Sequence, residues 1–502
     1  MSQQLKPIMF VGTGSDVGKS ILTAAFCRIF QQDGYAPAPF KAQNMSLNSF
    51  VSPDGLELGR AQAVQAQACR IPCSADMNPI LLKPTGDMSS QLVVNGKPIG
   101  NRSALDYFNH TDRDVLFGEA IKAFNRLADR YNPLVIEGAG SISELNLRDR
   151  DIVNMRVALE VNADVYLIAD IDKGGVFGSL YGTLELLPAA ERQLIKGLII
   201  NKFRGDIRLF EDGRKLLEEL CGIPVVAIIP YFTDICIEDE DSVVIDSKQK
   251  HLNSGKINIA VVLLQHMSNF TDFNNLERQD AVHLYYTANP AEVEAADMVI
   301  LPGSKNTLSD LNHLRRSGLA KAILNVHKQH KGVYGICGGY QMMGRSISDP
   351  LGVEGEVLSV PGLGILPVHT TLTDQKVTEQ CQFRFLDQPR TCKGYEIHMG
   401  ETVAENESPL CRIEGKGGDG YFLDHNSWGT YLHGIFDNQS VVDHLLRLHG
   451  KTAGSAFDYE AFKEEQFDKL AELVRSHTDL ANIYTQLQAG SAAAEHRSEP
   501  GA

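Results

Sequence analysis

Two groups of residues in this chain carry reactive chemistry, and they lie far apart. The first is Gly12-Thr13-Gly14-Ser15-Asp16-Val17-Gly18-Lys19-Ser20, set between an apolar strand candidate at 8–11 and a helical Ile-Leu-Thr-Ala-Ala-Phe pattern. Glycines let backbone N–H groups point at phosphate oxygens, and the helix start adds partial positive charge. Gly12, Thr13, Gly14 and Gly18 form the cradle, Lys19 reaches the terminal phosphates, and the Ser20 hydroxyl ligates magnesium. The second group is Gly335-Ile336-Cys337-Gly338-Gly339, a G-x-C-x-G turn whose small flanking residues permit a sharp strand-to-helix bend. A thiol at that bend sits at a helix N-terminus, where its thiolate is favoured. Backbone N–H groups beside it, at Gly338 and at Gly303 of Ile300-Leu301-Pro302-Gly303-Ser304, form an oxyanion hole. Downstream, Gly429-Thr430-Tyr431-Leu432-His433-Gly434 ends a strand in a histidine, and Cys337 with His433 makes a nucleophile–base pair for acyl transfer.

These residues need elements to hold them. Apolar runs at 7–12, 134–137, 165–170, 196–201 and 224–230 read as strands spaced for crossover helices, hence a mostly parallel sheet covered on both faces. Ligands of such sheets bind beyond the carboxyl ends of the strands. Several of these strands end there in polar residues. Glu137, closing Val135-Ile136-Glu137, is placed to hold magnesium beside Ser20, or else is a solvated strand-end carboxylate. Asp170 and Asp172, ahead of Gly174-Gly175, read equally as polar contacts and as turn formers. An acidic stretch at 231–250 breaks the alternation, and strands at 256–264, 298–301, 333–336 and 430–432 restart it. The α/β chain therefore divides into an ATP-binding domain at 1–235, a linker at 236–255, a second α/β domain at 256–450, a helical extension at 451–488 and a disordered tail at 489–502.

Composition narrows the class. The chain has 502 residues, 43% hydrophobic and 22% charged, and its longest apolar runs fall well short of the ~20 residues of a membrane span. With no basic start, apolar core and cleavage site at the N-terminus, neither a secreted nor a membrane protein is expected. The net charge of −16 argues against nucleic acid as the ligand, so an anionic substrate must be met by local positive charge or a metal. Nine scattered cysteines, without a paired framework, fit reduced thiols in a cytoplasmic enzyme. Cys69 and Cys73, with Pro72 between them, read as structural thiols.

The phosphate loop departs from the common pattern, since five residues rather than four separate Gly12 from Gly18. The nine-residue loop resembles that of dethiobiotin synthetase, G-T-D-T-x-V-G-K-T, whose group uses ATP to activate a carboxylate. Glu137-Gly138-Ala139-Gly140 matches the same group's E-G-A-G. That resemblance puts Lys41 on phosphate, against the alternative of a surface lysine, and Asn201 on adenine, against that of a turn former. In the second half, the order P-G, G-x-C-x-G, Y-x-H-G resembles the class I glutamine amidotransferases. Most of that family has glutamate two residues after the histidine, where Ile435 stands here. Asp437 or Glu396 could replace it, or Cys337 and His433 could act as a dyad. The departure itself, His433-Gly434-Ile435-Phe436, resembles the cobyrinic/cobyric acid synthase branch. Phe40-Lys41-Ala42-Gln43-Asn44-Met45-Ser46, Asp170-Ile171-Asp172-Lys173-Gly174-Gly175 and Gly394-Tyr395-Glu396-Ile397-His398 extend the likeness, which runs from about residue 6 to about residue 450. The resemblance implies ATP, Mg2+ and glutamine as reactants and a corrinoid substrate. Its reaction would be amidation of carboxylates b, d, e and g of adenosylcobyrinic acid a,c-diamide in cobalamin biosynthesis. Two alternatives stand beside it. One is another amidoligase of this architecture, acting on cobyrinic acid or a cell-wall lipid; the other is a nucleotide-dependent binding protein with an inert glutaminase-like half.

Overall fold

The computed structural model of the chain describes residues 4–86, 89–103, 113–238, 252–355, 357–451 and 457–495. In the first half, β1 (Ile8–Gly12), β2 (Ala38–Phe40), β3 (Leu134–Glu137), β4 (Asp164–Asp170), β5 (Ile195–Phe203) and β6 (Val225–Pro230) form one sheet in the order β6-β5-β4-β1-β3-β2. Every pairing in it is parallel. Parallel strands are covered on both faces, so they read as unbroken apolar runs, and β1 and β4 are buried along their whole length. The helix α1 (Lys19–Gln32) leaves β1 through the glycine loop. Between β2 and β3 the chain makes an insertion: a hairpin of Ser49–Val51 with Glu57–Gly59, then α2 (Arg60–Ala68), and a four-stranded sheet built on Gln43–Met45 and Ile80–Gly86.

The second half builds a separate sheet from β7 (Ile257–Val262), β8 (Val282–Thr287), β9 (Met298–Leu301), β10 (Gly332–Ile336), β11 (Tyr421–Asp424) and β12 (Ser427–Thr430), in the order β8-β7-β9-β10-β12-β11. Helices α3 (Thr307–Arg316) and α4 (Gly338–Met343) follow β9 and β10. A long antiparallel hairpin, Val368–Phe385 with Thr391–Ala404, projects from this half. The strand expected at 430–432 is divided. Ser427–Thr430 stays in the parallel sheet, whereas Leu432–His433 crosses to pair with the hairpin at Glu396 and Tyr395. His433 is therefore presented from the hairpin sheet while Cys337 ends a strand of the other.

Of the expected linker, residues 239–251 lie outside the described residues; Glu238, just before them, is held against the first half by Arg60 at 2.5 Å. The C-terminal helices α5 (Tyr459–Ser476) and α6 (Leu480–Glu495) return to the first half. Phe467, Leu470, Val474, Ile483 and Leu487 join Phe10, Phe26 and Phe30 in one core, so the extension is a layer of the first domain's packing. α6 continues to Glu495, into the stretch where a disordered tail is expected, and residues 496–502 lie outside the described residues.

The two halves meet through the hairpin at 49–59. Its Glu57 is fully buried between Lys83 of its own half, at 2.5 Å, and Lys376 of the second half. Thr378 Oγ1 donates to the Gly55 carbonyl and Gln380 Nε2 to that of Val51, each at 2.8 Å. Burial pushes the Glu57 carboxyl up, but Lys376, Lys83 and Lys305 outweigh it and hold it well below the usual carboxylate range. A carboxyl with a depressed folded-state value contributes stability that is complete above roughly pH 4.3 and is lost as pH falls toward the folded-state value. Glu57→Gln should remove that acid dependence and destabilise the chain by about 3–5 kcal/mol, because two buried lysines lose their counter-ion. Denaturant unfolding at pH 7 and at about pH 3 reads both effects.

Candidate functional site

The phosphate loop is shaped from beneath. Gly18 has φ +100°, and a Cβ there would lie 2.1 Å from Asn201 Nδ2. That amide donates to the Val17 carbonyl at 2.8 Å, so Asn201, near the end of β5, braces the loop from below. The Thr13 N–H is given to the Ile168 carbonyl of β4 at 3.0 Å. Gly12 ends β1 where a Cβ would meet the Gly14 carbonyl at 2.8 Å, which keeps the loop tightly folded. Lys19 Nζ bridges the carbonyls of Gly14 and Gly140, both at 2.9 Å, and so spans the loop and the turn after β3.

Glu137 stands at the centre of this end of the sheet. Its Oε1 accepts from Ser20 Oγ and from Lys41 Nζ, each at 2.8 Å, and its Oε2 from Gln65 Nε2 at 2.6 Å. Burial raises the Glu137 carboxyl, but the Lys41 charge and the hydrogen bonds from Lys41, Gln65 and Ser20 outweigh it and leave it below the usual range. An ionised carboxylate beside a serine hydroxyl at a phosphate loop is a donor set suited to Mg2+, a hard cation that takes oxygen ligands. Asp170 accepts from the Asp172 N–H at 2.8 Å and pairs with Lys202 at 2.9 Å, while Asp172 pairs with Arg204; both aspartates thus serve the turn. A cleft of about 790 Å³ opens over the loop, and Lys19, Lys41, Lys173 and Lys202 line it. Against Asp16, Glu137 and Glu238 on the same walls, these four lysines leave a local excess of positive charge in a chain of net charge −16, as an anionic ligand requires.

The second group assembles around the bend after β10. Cys337 has φ +51° and ψ −109°, a strained conformation for a side-chain-bearing residue. Close packing imposes it: a Cβ on Gly339 would lie 2.0 Å from the Leu301 carbonyl of β9. Gly338 opens α4 beside Ser304, whose N lies 2.8 Å from where a Gly338 Cβ would sit. Gly303 pairs with Ser268 in a two-residue antiparallel ladder, and its Cα side faces the His433 ring. The structure thus brings Cys337 and His433 to one pocket, with Gly303 packed against His433 and Gly338 against Ser304 at its edge.

The acid that serves His433 is neither of those expected. Nδ1 of His433 meets Asp272 Oδ2 at 2.6 Å, and Asp272 Oδ1 accepts from the Gly434 N–H at 3.0 Å. Burial opposes a charge on the imidazole, but the Asp272 carboxylate and hydrogen bonds to Asp272 and Cys337 push His433 up to about 10. Glu396 is turned away by strand alternation: Tyr395 opposes His433 and stacks on its ring, so the next residue points to the other face. There Glu396 pairs with Lys416 at 3.1 Å. Asp437 makes no hydrogen bond with His433 among the described residues, and one of its oxygens is buried without a partner. Ile435 is fully buried in the core. The arrangement is that of a Cys–His–Asp triad, where the missing glutamate left open a substitute at Asp437 or Glu396 or a Cys–His dyad. Asp272 lies in Phe270–Phe273, a single turn of 3-10 helix placed by the segment after β7, 161 residues before His433. Its only trace in the sequence is a carboxylate beside a threonine between Phe270 and Phe273.

Residues of the first half complete this pocket. Ser49, Lys83 and Gln91 line it together with Cys337 and His433. The Ser49 N–H donates to Asn269 Oδ1 at 3.2 Å, and Asn269 Nδ2 donates to Tyr395 Oη at 3.2 Å, so the hairpin of the first half touches the shell around the histidine.

Known proteins show the same two-part organisation. Residues 8–243 match the family described as the CobQ/CobB/MinD/ParA nucleotide binding domain, and residues 258–441 match the CobB/CobQ-like glutamine amidotransferase domain. The cobyric acid synthase of Bacteroides fragilis is 59% identical over 96% of this chain and 99% of its own length. That of Parabacteroides distasonis is 59% identical over 97% and 100%. That of Salmonella agona is 46% identical over 96% and 98%.

Proposed function

The chain belongs to the cobyric acid synthase family of glutamine-hydrolysing amide ligases, and on that premise we propose how its two centres divide the amidation of a corrinoid in cobalamin biosynthesis. At the phosphate loop, ATP and a side-chain carboxylate of adenosylcobyrinic acid a,c-diamide react, and the γ-phosphoryl group passes to the carboxylate oxygen. Lys19 follows the phosphate charge and Lys41 neutralises its surroundings. Ser20 with Glu137 would hold Mg2+, which would supply charge neutralisation at the phosphates. Asn201 keeps the loop in shape from below.

At the other centre the Cys337 thiolate attacks the carboxamide carbon of glutamine. The Gly338 N–H, unpaired at a helix start, and the 303–304 loop receive the oxyanion. His433, oriented by Asp272, gives a proton to the departing ammonia and then takes one from the water that releases glutamate. Ammonia attacks the acyl phosphate, phosphate leaves, and the carboxylate has become an amide. Free ammonia in water at neutral pH is mostly ammonium, which is not a nucleophile, so it has to reach the acyl phosphate without leaving the protein. The observation that carries this reading is the shared pocket: Ser49, Lys83 and Gln91 of the synthase half wall the chamber of Cys337.

The four carboxylates acted on are b, d, e and g. Incubation of the chain with ATP, Mg2+, the a,c-diamide and glutamine labelled at the side-chain nitrogen tests this. Four successive replacements of acid by labelled amide are expected. A product that stops at two amides would assign the chain to a different member of the architecture.

A further inference from the structure

Three lysines line the chamber of Cys337: Lys83, Lys305 and Lys376. They are not equivalent. Lys83 and Lys376 share the carboxylate of Glu57. Lys305 follows the strand Gly303–Ser304, and its backbone N–H is fixed to the His266 carbonyl at 2.9 Å. Its ammonium faces the chamber, and among the described residues no carboxylate lies within ion-pair distance of it. Burial, together with the charges of Lys376 and Lys83, pushes Lys305 well below the usual lysine range. The chamber therefore holds an amine whose ammonium form is disfavoured until an incoming anion meets it.

A carboxylate faces the same chamber. Glu354 accepts from the N–H groups of Thr307 and Leu308 at 2.6 and 3.3 Å, and from Thr307 Oγ1 at 3.1 Å. Burial raises its carboxyl to about 7 against those hydrogen bonds. A half-buried amine and a half-buried carboxyl beside one nucleophile match a zwitterion. Glutamine is one: its carboxamide must sit at Cys337, and the Cα that bears its α-carboxylate and α-ammonium is only three carbon–carbon bonds away. Burying those charges is costly unless each meets its opposite.

We propose that Lys305 binds the α-carboxylate of glutamine and Glu354 its α-ammonium, so that these two residues select the nitrogen donor. The proposal rests on the glutaminase reading of Cys337. It is tested on the full chain with two truncated donors: 4-aminobutanamide, which is glutamine without its α-carboxylate, and 4-carbamoylbutanoate, which lacks the α-ammonium. Wild type should lose about 100-fold in kcat/KM on 4-aminobutanamide relative to glutamine. Lys305→Met should lose about 100-fold on glutamine, mainly through KM, yet hardly distinguish the two donors, and Lys305→Arg should recover part of the loss. Glu354→Gln should likewise stop distinguishing glutamine from 4-carbamoylbutanoate. Unchanged ammonia-dependent amidation in each variant shows that the fold is intact. A Lys305→Met enzyme that discriminates as wild type does would overturn the proposal while leaving Cys337 in place. Wild type that releases no glutamate from glutamine would instead overturn the glutaminase reading beneath it.

Discussion

Cys337→Ala is expected to abolish glutamine-dependent amidation and to leave amidation with added ammonia in place. The thiol stands beside His433 in its pocket, placed to form a covalent adduct with the carboxamide carbon, and carboxylate activation is proposed for the other half. Equal loss with both nitrogen sources would refute the division of labour. Within the same centre, Asp272→Asn should lower glutamine hydrolysis by roughly 10^4-fold, the scale of losing the carboxylate that fixes the histidine's tautomer. Asp437→Asn and Glu396→Gln should change it little, because Asp437 makes no bond to His433 and Glu396 lies on the far face of its strand. The pH dependence separates these roles. His433 is raised to about 10, so the stability it draws from Asp272 is complete below about pH 6.5 and disappears as pH rises through about 10. In Asp272→Asn that alkaline loss should vanish, and unfolding measured from neutral to alkaline pH will show whether it does.

What could be read in the sequence follows a physical boundary. Local signals were legible: the glycine loop, the small residues around Cys337, and apolar runs that become β1, β3, β4, β7, β9 and β10. Each depends on residues a few positions apart. The triad acid was not, because Asp272 reaches His433 only after the turn beyond β7 folds beside the strand Leu432–His433. Spacing from the histidine points to residue 435, and there the sequence correctly shows an isoleucine committed to the core. The same limit hid where the expected C-terminal helices pack. Their apolar stripe is visible, but nothing local says that it covers α1 rather than the domain just completed. The insertion after β2 was equally silent. Its polar 43–49 segment has no period of its own, and it takes its meaning from the two pockets it separates: Asn44 and Met45 line the nucleotide cleft, and Ser49 lines the glutaminase chamber. That adjacency, rather than either motif, is the physical argument for ammonia passing between the centres.

Lys19→Ala should remove amidation with either nitrogen source, on the order of 10^3-fold or more, while glutamine hydrolysis continues. The charge that develops on the transferring phosphoryl group needs a fixed cation in a water-poor site. Lys41 cannot take over that duty, because its ammonium is held by Glu137 at 2.8 Å on the metal-binding side of the cleft. Lys202 is held by Asp170 at 2.9 Å. In the present structure Lys19 also spans Gly14 and Gly140, so its removal loosens the loop as well as the charge. Comparing ADP and ATP binding by calorimetry distinguishes the two effects. A lost phosphate contact should weaken ATP more than ADP, whereas a disordered loop should weaken both alike. Near-normal amidation by Lys19→Ala with added ammonia would remove the phosphate loop from the reaction and, with it, the assignment of carboxylate activation to this half.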